Sequence, residues 1–209
     1  MFELKEFFRY QDDRTMNITR LIITAVGGQG NLLASGILGE AALLAGVPVS
    51  MSEIHGMAQR GGVVESALVF GNAKSSIISD GEADVLVGFE PLETLRALKK
   101  CSPDSTVITN LSPVPPFTVS IGRGTYPPID VIQRLIENKV RRCIACDAVA
   151  LARQAGNIMA VNMVLLGALI GTQTVPLTEA DVKEAIRTRV KKGFVDINLK
   201  AFELGRQTV

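Results

Sequence analysis

Residues Leu21–Gly46, LIITAVGGQGNLLASGILGEAALLAG, determine the fold of this chain. Residues 21–25 are apolar and β-prone, whereas small and apolar residues recur at helical spacing over 32–44. The sequence therefore predicts a strand, a tight turn at Gly27-Gly28-Gln29-Gly30, and a helix that begins near Asn31. Glycines let a phosphate approach the backbone, and a helix N-terminus directs free N–H groups and its positive dipole end there. We expect an anionic ligand at this turn.

The turn is an incomplete dinucleotide fingerprint. The third glycine of that fingerprint is replaced by Leu33, which is followed by Ala34. A phosphate-binding lysine does not follow the turn, which argues against a P-loop. The turn alone therefore leaves open a phosphate-binding site and a tight β–α turn that binds nothing.

Composition indicates one globular α/β domain. The 209 residues are 47% hydrophobic and 21% charged, and include 19 glycines but few aromatic residues and no Trp. The net charge is +1, and the basic pairs Arg141-Arg142 and Lys191-Lys192 are too short for a nucleic-acid surface. The apolar run 158–170 is too short to span a bilayer, so we expect no membrane association. The chain opens with no secretory signal pattern, which predicts a cytoplasmic protein.

The three cysteines predict neither a disulfide framework nor a resident cluster. Cys101, Cys143 and Cys146 are fewer than the four thiolates that an iron–sulfur cluster requires. The C-x-x-C pair lies in an apparent strand and lacks a second pair that would complete a zinc site. We expect buried structural thiols and no metal site.

A second unusual stretch, Ser52–Gly62 with the sequence SEIHGMAQRGG, is expected to face the glycine turn. Its mixture of charged residues and glycines predicts a loop at the carboxyl edge of the sheet, where open α/β folds bind ligands. Arg60 is a candidate for contacting a phosphate or a neighbouring subunit's carboxylate. Glu53 either contacts a ribose or pairs with Arg60, and His55 is either functional or a hydrogen-bonded structural group.

The rest of the chain predicts a mixed sheet. Strand 49–54 is expected to run parallel to the first strand, and strand 63–70 to form a hairpin with residues 76–79. Asn162, in a buried helix, either ties down a loop or reaches a ligand. A last helix is expected from Val195 to Leu204, ending at Gly205. Residues 1–15 are interpreted as an N-terminal extension and residues 16–209 as the domain.

These motifs resemble a known family. The glycine turn with Ala34, the stretch from Ser52 to Gly62, and Asn162-Met163 with Leu166-Gly167-Ala168 resemble the gamma domain of 2-oxoacid:ferredoxin oxidoreductases. The sequence from His55 to Gly62 is most similar to the indolepyruvate-type members of that family. The resemblance extends from Asn17 over nearly the whole chain.

The resemblance implies a Rossmann-like α/β/α domain that serves as an accessory subunit, inactive alone. The holoenzyme would convert an aryl pyruvate, coenzyme A and oxidised ferredoxin to an acyl-CoA, carbon dioxide and reduced ferredoxin. Thiamine diphosphate and iron–sulfur clusters would lie on a partner subunit. The residues implied in coenzyme A binding are Gly27, Gly28, Gln29, Gly30, Asn31, Gly61, Gly62 and Asn162. Glu53, His55 and Arg60 would line the interface where the thioester forms.

Two alternatives to this interpretation remain open from the sequence. A free-standing Rossmann-like nucleotide-binding or regulatory module would use Glu53 to contact a ribose. A purely structural interaction subunit would leave the glycine turn empty. The sequence also leaves open whether the chain forms a homodimer. Preference for coenzyme A over NAD separates the oxidoreductase subunit from the nucleotide-binding module.

We predict that Arg60→Ala weakens association with the ligand or with the catalytic subunit and leaves folding intact. The reason is that a guanidinium between glycines is placed to bind a phosphate or carboxylate with two hydrogen bonds. Subunit affinity and the holoenzyme rate measure the effect. An unchanged rate together with an unchanged affinity would contradict the prediction.

Overall fold

The computed structural model describes residues 17–55, 62–115, 119 and 121–209, with only the backbone at His55. Within these residues the chain forms a six-stranded mixed sheet with the order β2-β3-β1-β4-β5-β6. Strand β3 is antiparallel to both of its neighbours, and the β1-β4, β4-β5 and β5-β6 pairs are parallel. The strands are β1 Thr19–Val26, β2 Val49–His55, β3 Val63–Phe70, β4 Ala83–Gly88, β5 Cys101–Asn110 and β6 Arg142–Cys146.

Helices cover both faces of the sheet. On one face lie α1 Asn31–Leu44, α4 Ala148–Ala155, α5 Val161–Gly171, α6 Glu179–Arg189 and α7 Val195–Arg206, and on the other lie α2 Pro91–Ala97 and α3 Ile129–Glu137. Each face carries its own buried apolar cluster. The predicted α/β/α single domain is therefore confirmed. None of the described helices is long and apolar enough to cross a membrane.

The core of the sheet is β1, whose side chains are buried on both faces. Leu21, Ile23 and Ala25 pack into the cluster under α1 and α5, whereas Ile22 packs into the cluster under α2 and α3. A strand buried on both faces carries a continuous apolar run instead of polar alternation, as this one does. The predicted strand, turn and helix over residues 21–46 are confirmed.

The predicted hairpin between Val63–Phe70 and residues 76–79 is wrong. Strand β3 instead lies between β1 and β2, with Phe70 opposite both Thr19 and Val49. The reason is burial, because Leu68 and Phe70 pack on one face of β3 while Val69 packs on the other. A strand buried on both faces takes a central position. Strand β2 therefore runs parallel to β1, as predicted, but is not its neighbour.

Helices α5 and α7 touch backbone to backbone, which also corrects the predicted end of the last helix. A Cβ atom built on Gly205 would lie 1.8 Å from the Val164 carbonyl oxygen, and one on Gly167 would lie 1.9 Å from the Phe202 carbonyl oxygen. Helix α7 continues through Gly205 to Arg206. Gly205 is therefore a close-packing glycine and not the residue that ends the helix. This contact fixes the start of α5, where Asn162 lies.

We predict that Gly205→Ala destabilises the protein by about 2 kcal/mol or more, since the added methyl group must force the two helices apart. Gly193→Ala is the matched control, because the Cβ site of Gly193 has no described heavy atom within 4 Å. It should change the free energy of unfolding by no more than about 0.5 kcal/mol. Denaturant unfolding measures both variants. Equal stability of the two would contradict the close contact between α5 and α7.

Candidate functional site

The glycine turn lies at the carboxyl end of β1 and starts helix α1. Gly28 has a φ of +100° and Gly30 a φ of +81°, which is backbone that side chains rarely adopt. Gly30 is the N-cap of α1, and no side chain of the described residues caps this helix end. The N–H of Gly27 donates to the carbonyl oxygen of Gly62 at 2.9 Å. The structure thus brings together the turn and the end of the second unusual stretch.

The side chain of Gln29 holds the turn in place. Its Oε1 accepts from the Val26 N–H at 2.8 Å, and its Nε2 donates to the Phe89 carbonyl oxygen at 3.2 Å. The same carbonyl accepts from Asn110 Nδ2 at 3.1 Å, and Asn110 Oδ1 accepts from the Ala148 N–H. These amides connect the carboxyl ends of β1, β4 and β5 to the start of α4. Gln29 therefore positions the turn.

Asn162 holds the turn from the opposite side. It is 2% exposed, its Nδ2 donates to the Gly30 carbonyl oxygen at 3.3 Å, and its Oδ1 accepts from the Met163 N–H at 3.0 Å. A Cβ atom on Gly30 would lie 2.7 Å from Asn162 Nδ2, so residue 30 has to be a glycine for this contact to form. Of the two roles that the sequence left open for Asn162, the structure shows the tie to the loop. The side chain also borders the cavity described below.

Asn31 joins the start of α1 to β3. Its side chain is 4% exposed, and its Nδ2 donates to the Val64 carbonyl oxygen at 3.3 Å. Its Oδ1 is buried and has no hydrogen-bond partner among the residues that the structure describes. Because Val64 follows the Gly62-Val63 segment, Asn31 helps to set the position of the chain beside the turn. Its predicted role in binding a ligand remains a prediction.

A cavity of about 450 Å³ opens beside the turn. Three parts of the chain form its wall, namely the turn with the first helical residues, the segment that leads into α5, and the α6–α7 connection. Leu33, Met159 and Phe194 give it exposed apolar surface, and Arg189 and Lys191 give it positive charge. The lining residues are Gly28, Gln29, Gly30, Leu33, Asn157, Met159, Ala160, Asn162, Arg189, Val190, Lys191, Phe194 and Asn198. The cavity therefore combines phosphate-binding and apolar elements.

Sequence reasoning identified one wall of this cavity and missed the other. Gly28, Gln29, Gly30 and Asn162 were predicted, whereas the segment from Arg189 to Phe194 was not. The available signal was the pair Lys191-Lys192 close to Phe194, but short basic pairs are typical of solvated helix ends. Only the tertiary fold brings this segment to the glycine turn.

Glu53 lies outside this cavity wall. It is an exposed residue of β2, and its carboxylate accepts from Ser35 Oγ at 3.3 Å in a groove on the outer side of α1. His55 ends β2 opposite Val64. The side chain of His55, together with Arg60 and Gly61, lies outside the described residues, so their predicted roles remain predictions.

A buried carboxylate anchors the proline-rich segment at the same sheet edge. Glu90, at the end of β4, is 1% exposed, and its Oε1 accepts from Tyr126 Oη at 2.5 Å and from the Val114 N–H at 3.2 Å. Burial, together with the hydrogen bond to Glu90, raises the pKa of Tyr126. Burial also raises the pKa of Glu93, which Arg96 partly offsets. Glu90 therefore accepts from both ends of the segment 114–126.

The cysteines have the properties of structural thiols. Burial raises the pKa of Cys101, Cys143 and Cys146 to about 11, so the reactive thiolate form is disfavoured at neutral pH. Among the described residues, no group of three or more His, Cys, Asp or Glu side chains is placed to hold a metal ion.

Comparisons with known proteins agree on one family. The family model described as pyruvate ferredoxin/flavodoxin oxidoreductase matches residues 20–208. An indolepyruvate oxidoreductase subunit IorB of Thermococcus kodakarensis is 44% identical over 187 residues, covering 88% of this chain and 93% of the relative. The subunit of the same name from Methanothermobacter thermautotrophicus is 43% identical over 185 residues, covering 88% of this chain and 94% of the relative.

Solved structures of low sequence identity share the fold. The gamma subunit of a keto/oxoacid ferredoxin oxidoreductase from Geobacter sulfurreducens has a TM-score of 0.66 at 23% identity, covering 91% of this chain and 97% of that one. A 2-oxoglutarate:ferredoxin oxidoreductase from Magnetococcus marinus, solved with 2-oxoglutarate, coenzyme A and succinyl-CoA bound, has a TM-score of 0.71 at 18% identity. That match covers 92% of this chain and 31% of the longer one.

We predict that Gly30→Ala costs about 2 to 3 kcal/mol of stability, because it adds a clash with Asn162 to the strain of a positive φ. Gly28→Ala is the control. Its φ imposes strain of about 1 to 2 kcal/mol, but its Cβ site has no described heavy atom within 4 Å.

A double-mutant cycle with Asn162→Ala separates the clash from the strain. Gly30→Ala combined with Asn162→Ala should cost less than the sum of the two single substitutions, because the shortened side chain removes the clash. The cost in stability of Gly28→Ala combined with Asn162→Ala should be closer to the sum of the two single costs. Denaturant unfolding measures these costs. Additive costs in both pairs would contradict the close contact between residue 30 and the Asn162 side chain.

Proposed function

The chain belongs to the pyruvate ferredoxin/flavodoxin oxidoreductase family, and from this premise we propose that it is the subunit that binds coenzyme A in an indolepyruvate-type enzyme. It is an accessory subunit of a 2-oxoacid:ferredoxin oxidoreductase, the enzyme class of its relatives. The alternative of a free-standing nucleotide-binding module finds no support in these matches. The observation that carries the coenzyme A proposal is the cavity that joins the glycine turn to a cationic and apolar wall.

The phosphates of coenzyme A fit the charged parts of this cavity. The pyrophosphate would lie against the Gly27–Gly30 turn, where glycines permit close approach and α1 presents the positive end of its dipole. Lys191 adds a positive charge to the same cavity, and Arg189 adds a guanidinium whose charge the Glu40 carboxylate, 3.4 Å away, partly offsets. Gln29 and Asn162 hold the turn in place through hydrogen bonds, so binding would require little further ordering of the backbone.

The apolar wall suits the remaining parts of the molecule. Leu33, Met159 and Phe194 are 37%, 70% and 45% exposed, and a bound adenine ring or pantetheine chain would cover them. Burial of apolar surface and stacking on an aromatic ring each favour such a ligand. The glycine turn was predicted from the sequence, whereas the wall formed by the α6–α7 connection was not. Both would thus bind one ligand.

The oxidative chemistry is assigned to a partner subunit. We propose that thiamine diphosphate and the iron–sulfur clusters lie there, because three cysteines are too few for a cluster with four thiolate ligands. The stretch from Glu53 to Gly62, with His55, Arg60 and Gly61, would border that subunit and direct the coenzyme A thiol toward it. When bound, coenzyme A supplies the thiol that accepts the acyl group and leaves as the acyl-CoA.

We also propose the boundaries of the domain and the location of the subunit. Residues 16–209 would be the gamma-type domain and residues 1–15 an extension. The family match starts at residue 20, which supports this division. The cytoplasm is the proposed location, since three free thiols suit a reducing compartment. Ferredoxin would receive electrons through the partner subunit.

We predict that Lys191→Ala raises the KM for coenzyme A of the holoenzyme about tenfold and leaves kcat at saturating coenzyme A unchanged. The reason is that loss of a phosphate contact remote from the thiol removes binding energy equally from the ground and transition states. Lys74→Ala is the control, because Lys74 is exposed and does not line the cavity. This variant should have the wild-type KM for coenzyme A and the wild-type kcat.

Calorimetry on the purified complex measures binding directly. Coenzyme A should bind more tightly than NAD, and Phe194→Ala should weaken coenzyme A binding without changing the assembly of the two subunits. Tighter binding of NAD, or the wild-type KM for coenzyme A in both Lys191→Ala and Phe194→Ala, would overturn the assignment of this cavity.

A further inference from the structure

We propose that Glu40 is a positioning residue that lowers the affinity for coenzyme A by competing with its phosphates for Arg189. In the structure the Arg189 guanidinium pairs with Glu40 on helix α1. When coenzyme A binds, the guanidinium would leave Glu40 and pair with a phosphate in the cavity. This exchange of ion-pair partners rests on the proposed binding of coenzyme A there, and it regulates the strength of that binding.

Arg189 lies at the border between two depressions of the surface. It is the last residue of α6, and its side chain is 47% exposed. It lines the cavity of about 450 Å³ beside the glycine turn, and it also lines a groove of about 410 Å³ along α1. Among the described residues no other lines both. Its guanidinium is therefore placed to pair with a group on either side.

Gly36 lets this guanidinium lie close to helix α1. A Cβ atom built on residue 36 would lie 2.9 Å from Arg189 Nη1 and 3.6 Å from Arg189 Cζ. Gly36 is an interior residue of α1, where glycine destabilises a helix relative to alanine. The close approach of Arg189 gives a physical reason for a glycine at this position. It also brings the guanidinium within reach of Glu40, one helical turn farther along α1.

The ion pair between Glu40 and Arg189 is weak enough to exchange. Glu40 Oε2 lies 3.4 Å from Arg189 Nη2, which is longer than the roughly 2.7 to 2.9 Å of a strong charged hydrogen bond. The Glu40 side chain is 30% exposed, and partly exposed ion pairs contribute little to stability. Among the described residues, neither group has another oppositely charged partner within 4.0 Å. Glu40 thus holds Arg189 loosely beside the cavity.

A phosphate in the cavity is the stronger partner for Arg189. Phosphate oxygens match the planar guanidinium with two parallel hydrogen bonds, whereas Glu40 makes one long contact. Lys191 lines the same cavity and would hold the phosphate at the same time. Because the guanidinium has to leave Glu40 first, the exchange reduces the net affinity. Coenzyme A and its acyl derivatives carry the same phosphates, so Glu40 would weaken the binding of substrate and product alike.

Calorimetry on the complex with the catalytic subunit, with coenzyme A as the probe, tests the exchange. Glu40→Gln should tighten binding about threefold, because the guanidinium no longer has to leave a carboxylate. Arg189→Ala should weaken binding about tenfold, because a charged contact to the phosphate is lost.

A double-mutant cycle separates competition for Arg189 from direct repulsion of the phosphate by Glu40. In the Arg189→Ala background, Glu40→Gln should change the dissociation constant by less than about 1.5-fold, because the group for which Glu40 competes is gone. Equal tightening by Glu40→Gln in both backgrounds would mean that Glu40 acts on the ligand directly, and would overturn the exchange.

Arg187 and Glu184 provide the matched control on the same helix. They form an ion pair at 3.1 Å with side chains 50% and 54% exposed, and neither lines the cavity. Glu184→Gln should therefore keep the wild-type dissociation constant. Wild-type affinity in Glu40→Gln, with weakened binding in Arg189→Ala, would overturn the exchange alone. Wild-type affinity in both Arg189→Ala and Lys191→Ala would overturn the exchange together with the assignment of the cavity.

Discussion

The hydrogen bond from Asn162 to the Gly30 carbonyl oxygen is the contact on which the candidate site depends. It joins residues 132 positions apart and sets the start of α5 against the start of α1. Gly30 has to lack a side chain for the contact to form, and Asn162 has to be buried for it to be strong. The close packing of α5 on α7 holds Asn162 in place, and α7 in turn lies next to the connection that carries Lys191 and Phe194. The cavity exists because these packing contacts meet at the glycine turn.

The order of the sheet gives this arrangement its location. Strands β1 and β4 are parallel neighbours, so the turn after β1 and the segment after β4 emerge at one edge. Gln29 and Asn110 both donate to the Phe89 carbonyl oxygen there, and Glu90 follows immediately with its buried carboxylate. The carboxyl edge of the sheet thus combines a rigid amide network with a phosphate-binding turn. In open α/β folds this edge is where ligands bind.

Local features were predictable from the sequence and contacts between distant segments were not. The strand, turn and helix over residues 21–46 follow from spacing and glycines within one short segment. The position of β3 between β1 and β2 depends on burial on both faces, which a pattern of eight residues cannot distinguish from a hairpin strand. Gly205 was interpreted as a helix end because glycine often ends helices, whereas here it permits contact with the Val164 backbone. Lys191 and Phe194 were missed because only packing brings them to the turn.

Coenzyme A is proposed to bind between the glycine turn and the α6–α7 connection. Hydrogen exchange of the holoenzyme, measured with and without coenzyme A, probes this location segment by segment. We expect slower amide exchange at residues 28–33 and 189–194 when coenzyme A is present, and unchanged exchange in the α2–α3 layer. Protection by coenzyme A confined to the catalytic subunit, with neither segment of this chain affected, would contradict it.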